Sequence, residues 1–212
     1  MSTCCTTERS TQEHWDSVWS AGSRMRLPSG LNVAIRNLKC LLKTYVRPGT
    51  RFLELGCAPG KMLAWVAARL QANVAGVDYS PAGIASARRL FQTLGLAADL
   101  RCEDVFATTF AAAHFDVVYS AGLIEHFDDP TGIVERHMRL VKPGGVAIMA
   151  VPNYGGFYGR LQQHFDPDNL EIHNLGIMNP AALRELASCG SAWAARSYAT
   201  GRLSPWIVNF DR

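Results

Sequence analysis

From Thr50 onward the chain alternates between short apolar runs and stretches whose apolar residues recur every three or four positions. The runs at 50–55, 73–78, 98–103, 115–120 and 145–151 are rich in Val, Leu, Phe and Ala, which predicts strands. The stretches 61–71, 82–94 and 131–140 have helical spacing. Runs that are apolar at consecutive positions belong to strands covered on both faces. The fold class expected is therefore α/β, a doubly wound and mostly parallel sheet. Ahead of it, Thr11–Gly22 sets Trp15 and Trp19 on one helical face, and Asn32–Val46 is a second amphipathic helix after the break at Pro28-Ser29-Gly30. Together these form an N-terminal helical cap over 11–46. Residues 1–10, polar and rich in Ser and Thr, are expected to be disordered.

Beyond Val151 the periodicity lapses. Residues 152–178 carry Tyr154, Phe157, Tyr158, His164, Asp166 and His173 without a sustained stripe, and read as an irregular insertion serving as lid or substrate wall. A helix resumes at Asn179-Pro180 and runs to about Ser188. Two apolar runs, Ala192–Ala199 and Trp206–Phe210, suit a closing antiparallel pair, which would bring the sheet to seven strands. The second run ends just before the last residue, as in a chain shortened from a longer protein. No linker or repeat divides 11–212, so one domain is expected.

Candidate chemistry starts where the first strand ends. Phe52-Leu53-Glu54-Leu55-Gly56-Cys57-Ala58-Pro59-Gly60 is an apolar strand, a carboxylate and a Gly-x-x-x-Gly turn that opens a helix. Glycines there permit a sharp turn and close approach of a ligand, and the helix start offers free amides. The next strand ends in Asp78, 18 residues past Gly60, where an acidic side chain commonly holds ribose hydroxyls. A phosphate loop would need four residues between its glycines and Lys-Ser/Thr at its end, but Lys61 is followed by Met62. A dinucleotide loop would need glycine where Ala58 stands. Glu54 would repel phosphates and attract a cationic group. The ligand expected is a nucleoside bearing positive charge and no phosphate. Glu54, Asp78, Asp104 and Ser120 all fall at carboxyl ends of strands, where ligands of such sheets bind.

Glu54-Leu55-Gly56-Cys57-Ala58-Pro59-Gly60, then Gly76-Val77-Asp78-Tyr79-Ser80, then Phe115-Asp116-Val117-Val118-Tyr119-Ser120, in this order and spacing across about 45–151, resembles the class I S-adenosylmethionine-dependent methyltransferases. The resemblance implies their Rossmann-like fold and S-adenosylmethionine as cofactor. It implies that Glu54, Gly56 and Gly60, with Cys57 inside the same loop, hold the amino-acid end. Asp78 would take the ribose hydroxyls, Tyr79 would lie against the adenine, and Asp104, followed by Val105, would accept from the adenine amino group. Pro59 is larger than the residue usual in that loop.

Methyl transfer from a sulfonium needs alignment and, for a hydroxyl or ammonium acceptor, a base. Gly122-Leu123-Ile124-Glu125-His126-Phe127 follows the fourth strand, and His126 has the ordinary pKa of such a base. Related methyltransferases often carry a Glu-His pair here, so Glu125 and His126 are the candidate catalytic residues. Asn153, Tyr154, Tyr158 and His173 are the candidate acceptor-binding residues. No metal is expected: Gly122 stands where some relatives carry a further acidic residue, and a site would need His164, His173 or Asp166 as well. The acceptor expected is an oxygen or nitrogen of a small molecule, natural-product intermediate or glycan.

The bulk numbers narrow this further. With 48% hydrophobic and 18% charged residues the chain is of globular composition. A formal charge of +3 with scattered Lys and Arg supplies no stripe for nucleic acid, and no signature of base methylation follows the fourth strand. No apolar stretch is long enough for a membrane span, and Met1–Ser10 lacks a signal-peptide core. The six cysteines include no Cys-x-x-Cys pair and no ladder of close spacings, and read as reduced thiols of the cytoplasm. Assembly as a homodimer stays open. Two alternatives stay open at this point: a nicotinamide-dependent oxidoreductase on a similar sheet, and an inactive nucleoside-binding scaffold.

Overall fold

The computed structural model describes residues 8–21, 26–29, 32–154, 157–187 and 194–197. Two helices come first, α1 (Gln12–Ser20) and α2 (Val33–Tyr45). Each starts on a side-chain cap, Thr11 accepting from the His14 amide and Asn32 from the Ile35 amide. The body then runs β1 (Arg51–Leu55), α3 (Lys61–Leu70), β2 (Asn73–Asp78), α4 (Pro81–Leu94), β3 (Asp99–Cys102), β4 (Phe115–Ala121), α5 (Thr131–Leu140) and β5 (Val141–Ala150). All the pairings among these strands are parallel, in the order β3-β2-β1-β4-β5. The α/β class and the parallel sheet are as the apolar runs require.

The core explains why β1 reads as one continuous apolar run. Phe52 packs under α2 and α3 with Leu42, Leu63, Trp65 and Val74. Leu53 and Leu55 point to the other face, with Val77, Val118, Ile133 and Leu140. Both faces are fully covered, so truncating Leu53 or Leu63 to Ala costs about 2–5 kcal/mol. α4 is bounded as its sequence asks. Ser80 caps it by accepting from the Gly83 amide at 2.9 Å, Pro81 occupies its first turn, and Gly95 ends it at φ +63°. α1 packs on α4, and a Cβ on Gly83 would lie 2.8 Å from Trp19 and 2.6 Å from Ala58. That glycine lets the N-terminal helix dock over the loop after β1.

Three expectations need correction. β5 begins at Val141 rather than 145, because the chain bulges between the pairs Phe115–Val141 and Val117–Val146 and so absorbs Lys142-Pro143-Gly144. Lys142 is ion-paired with Asp116 beside the bulge. The 152–178 insertion is not irregular: it holds α6 (Phe157–Phe165), the short α7 (Asp168–Glu171) and a 3₁₀ turn at Leu175–Ile177, followed by α8 (Pro180–Ala187). The polar tail is held in place at its end, since Glu8 forms an antiparallel bridge with Phe127. Among the described residues the sheet has five strands. The expected closing pair lies outside the described residues except for 194–197, which are not in a strand.

Candidate active site

A cavity of about 630 Å³ opens at the carboxyl ends of the strands. Its cofactor side is built from β1, β2 and the loops that follow them. Gly56 takes φ +67°, lines the cavity and leaves 3.2 Å between a hypothetical Cβ and the Leu123 side chain. Gly60 also has positive φ, but what it avoids is α4: a Cβ there would sit 2.8 Å from that of Ala87. Its role is packing of loop on helix, and it does not line the cavity. Asp78, buried at the tip of β2, accepts from the Ala58 amide through one oxygen (3.0 Å) and from the Ser80 amide through the other (2.9 Å). Burial raises its pKa while those two amides pull it down. Each oxygen keeps a lone pair toward the cavity it lines, which is what a pair of ribose hydroxyls requires.

Tyr79, Asp104 and Val105 line the same end. Asp104 is oriented by accepting from the Phe106 amide at 2.8 Å. Glu54 and Cys57 are buried beneath the loop and do not form the wall. One oxygen of Glu54 has no partner, and burial holds its carboxyl well above the usual range. Burial likewise pushes the Cys57 thiol up, so it is an inert packing group. Ser120 is a correction: its hydroxyl lies 2.9 Å from Nε2 of the fully buried His137, on the α5 side and away from the cavity.

The acceptor side is assembled from three distant stretches. A 3₁₀ turn at Ile124–His126 places Glu125 and His126 at the wall. Nδ1 of His126 lies 2.8 Å from the Ile172 carbonyl. A carbonyl only accepts, so Nδ1 carries the proton and Nε2 presents a lone pair. His173 repeats the arrangement, its Nδ1 donating to the Asn169 carbonyl. The two imidazoles lie 4.7 Å apart, and Trp15 from α1 meets His126 edge-on at 5.1 Å. Burial, reinforced by His173, lowers the pKa of His126 to about 4. Glu125 is fully buried, both its oxygens lack partners, and burial raises its pKa to about 8.

The N-terminal strap locks this side. The Arg9 amide donates to the His126 carbonyl at 2.8 Å, and its guanidinium reaches the His173 carbonyl (3.2 Å) and Asp128 (2.7 Å). The Trp15 indole N–H donates to Ser10 at 2.9 Å, and Asp16 accepts from Ser80. Asn174 closes the other flank, donating to the Phe127 and Asp128 carbonyls at 3.1 and 3.0 Å.

Of the expected acceptor residues, His173 lines the cavity, and Tyr154 stands behind it, edge-on at 5.4 Å and accepting from Asn169. Asn153 is exposed and does not line the cavity. The Tyr158 side chain lies outside the described residues. Sequence reasoning missed Ser10, Asn169 and Ile172 as wall residues. The i, i+3, i+7 spacing of Asp166, Asn169 and His173 is the signal that a helical turn brings them together. It also expected no metal, whereas Glu125, His126 and His173 offer ligand atoms within 4.8 Å of one another, all buried. His164 is exposed and takes no part.

The profile of a family described as a methyltransferase domain matches residues 53–149, the stretch that builds the cofactor side. A ubiquinone biosynthesis O-methyltransferase of Methylocella silvestris is 34% identical over 156 residues, 66% of this chain and 59% of the relative. Over residues 53–149 the chain is similar to a methyltransferase domain, in keeping with the class I S-adenosylmethionine-dependent methyltransferases. It spans less than two thirds of that relative's length, and 42% of the corresponding enzyme of Cereibacter sphaeroides, to which it is 37% identical. Among solved structures, the phosphoethanolamine N-methyltransferase 2 of Haemonchus contortus, in complex with S-adenosyl-L-methionine, shares the fold. It has TM-score 0.61 and 24% identity, covering 84% of this chain and 41% of that one.

The residues present suit the family's cofactor. Asp78 has free lone pairs at the cavity, Gly56 leaves space where a side chain would intrude, and 630 Å³ is within the range of ligand pockets. Asp78, Tyr79 and Asp104 would hold the nucleoside and Gly56 the amino-acid end. When bound, the cofactor supplies an electrophilic methyl group on a sulfonium. The nicotinamide alternative gives way, for Ala58 keeps its side chain where a dinucleotide needs glycine and its amide is committed to Asp78.

Proposed function

We propose that this methyltransferase methylates a hydroxyl oxygen of a small, largely apolar acceptor, with His126 receiving the hydroxyl proton at Nε2. The observation that carries the reading is the fixed tautomer: Nδ1 is held on the Ile172 carbonyl, so a neutral imidazole offers its lone pair to the cavity. With a pKa of about 4, the ring is unprotonated throughout the neutral range. It is a weaker base than an ordinary histidine but always in the competent form. Trp15, Phe127 and Ile172 supply an apolar wall that excludes water from the reacting oxygen. The name of the Methylocella relative, an O-methyltransferase, points the same way.

A second reading is favoured by one observation, the unpartnered oxygens of Glu125 beside two imidazoles with free Nε2 atoms. Two nitrogens and one carboxylate oxygen suit a divalent transition metal, which would lower the pKa of an acceptor hydroxyl. One experiment separates the readings. Methyl incorporation from labelled S-adenosylmethionine into phenolic and alcoholic acceptors is measured before and after chelator treatment. Unchanged activity supports His126 as base, and loss restored by a divalent ion supports the metal. Tight S-adenosylhomocysteine binding with no incorporation into any acceptor would leave the inactive nucleoside binder.

A further inference from the structure

We infer that the acceptor bound beside His126 carries no anionic group: the cavity admits neutral and cationic acceptors and turns away carboxylates and phosphates. This rests on the methyl-transfer reading and adds a substrate class to it. The described residues lining the cavity include the carboxylic side chains of Glu8, Asp78, Asp104, Glu125 and Asp166 and no lysine or arginine. The neighbouring cations are committed elsewhere. Arg9 is held by Asp128 and the His173 carbonyl, and Arg136 donates to the carbonyls of Val105 and Thr108.

At the acceptor end the Nδ1 protons of His126 and His173 are committed to the Ile172 and Asn169 carbonyls, and one ligand atom from each of these imidazoles and from Glu125 lies within 4.8 Å of the others. An anion entering there loses its hydration and finds carboxylic side chains, and among the described residues of the wall no lysine or arginine replaces the water. A hydroxyl or an ammonium brings a donor to the imidazole lone pairs of His126 and His173. The indole of Trp15 adds a surface that tolerates a cation and offers nothing to an anion. Exclusion of charge is a form of specificity that needs no shape selection.

The test uses three probes that share a phenol ring and differ in charge: 4-ethylphenol, tyramine and 4-hydroxyphenylacetate. Each is titrated calorimetrically into the chain loaded with S-adenosylhomocysteine. The first two are expected to saturate and the third to bind about tenfold or more weakly. Val18→Lys, which places a cation on the exposed rim of α1, is expected to raise affinity for the anionic probe and leave that for 4-ethylphenol unchanged. Equal or tighter binding of 4-hydroxyphenylacetate overturns the inference. So does its binding only when a divalent ion is added, a failure of all three probes while S-adenosylhomocysteine binds, or no gain in a folded Val18→Lys variant. If S-adenosylhomocysteine itself does not bind, the methyl-transfer reading falls and the inference falls with it.

Discussion

The two ends of one cavity are built by opposite rules. The cofactor end comes from a nearly contiguous stretch, Gly56 to Val105, and its polar groups at the wall are anchored by backbone amides: Asp78 on Ala58 and Ser80, Asp104 on Phe106. The acceptor end gathers residues from 8–19, 124–127 and 166–173, and the oxygens of its central carboxyl, Glu125, make no well-formed hydrogen bond to any described residue. A satisfied end is set to bind a single ligand tightly. An unsatisfied end keeps its hydrogen-bonding capacity in reserve for a ligand that has yet to arrive.

The strongest way to break this contrast is at the cofactor end. Asp78→Ala should weaken S-adenosylhomocysteine binding by about 10²-fold or more, since each hydrogen bond to a charged group contributes roughly 1.5–3 kcal/mol. Gly56→Val should do at least as much, through its φ of +67° and the contact with Leu123. Calorimetry on variants shown by circular dichroism to be folded checks both, and retained affinity in Asp78→Ala would remove the ribose assignment.

At the other end the expected outcome is the reverse. His126→Ala should lower turnover by roughly 10²-fold and leave S-adenosylhomocysteine affinity within about twofold. A loss of cofactor affinity as large as that of Asp78→Ala would dissolve the division between the ends. The pH profile sharpens it. An ordinary histidine, titrating near 6.5, would produce a limb in the neutral range, but at about 4 His126 is already neutral there. The rate from pH 6 to 7.5 should therefore be flat with respect to this group.

The smallest effect expected lies behind the cavity. His137 is fully buried, donating to the Ile133 carbonyl and meeting Ser120, and burial lowers its pKa from 6.5 to about 4. Between those values the unfolded chain binds a proton that the folded one refuses. Its contribution is thus whole above pH 6.5 and is lost as pH falls toward 4, on the order of 3 kcal/mol in all. Urea midpoints at pH 7 and pH 5 should differ less in His137→Gln than in the parent chain. An unchanged difference would assign the acid sensitivity to other groups.

The division between the ends also governs what could be read from the chain. Local backbone geometry writes itself into sequence, so the strands, the glycine turn and Asp78 were legible. Gly60 was legible as a glycine but not as to its purpose, because Ala87 is brought against it only by the fold. α6 carries Phe157, Leu161 and Phe165 at helical spacing, but Gly155-Gly156 before it and Gly159 within it hid the stripe. Ser120 shows the limit of strand-end reasoning. Position along a parallel strand fixes the end of the sheet, whereas alternation fixes the face, and Ser120 turns toward His137. The Glu125–His126–His173 cluster needed tertiary structure, since no spacing rule pairs residue 126 with residue 173.

The strap at Arg9 has a consequence for how the molecule is made. Its hydrogen bond to the His173 carbonyl joins residues 164 positions apart, among the widest loops this chain can close. Contacts of that separation carry the largest loop-closure entropy, which the chamber recovers only through the packing of the sheet between them. The N-terminal stretch works as a drawstring. A proteolytic nick or a fusion placed around residue 10 reaches the acceptor chamber directly, and through Gln12 on the Tyr79 carbonyl and Asp16 on Ser80 it also reaches the rim of the nucleoside cleft.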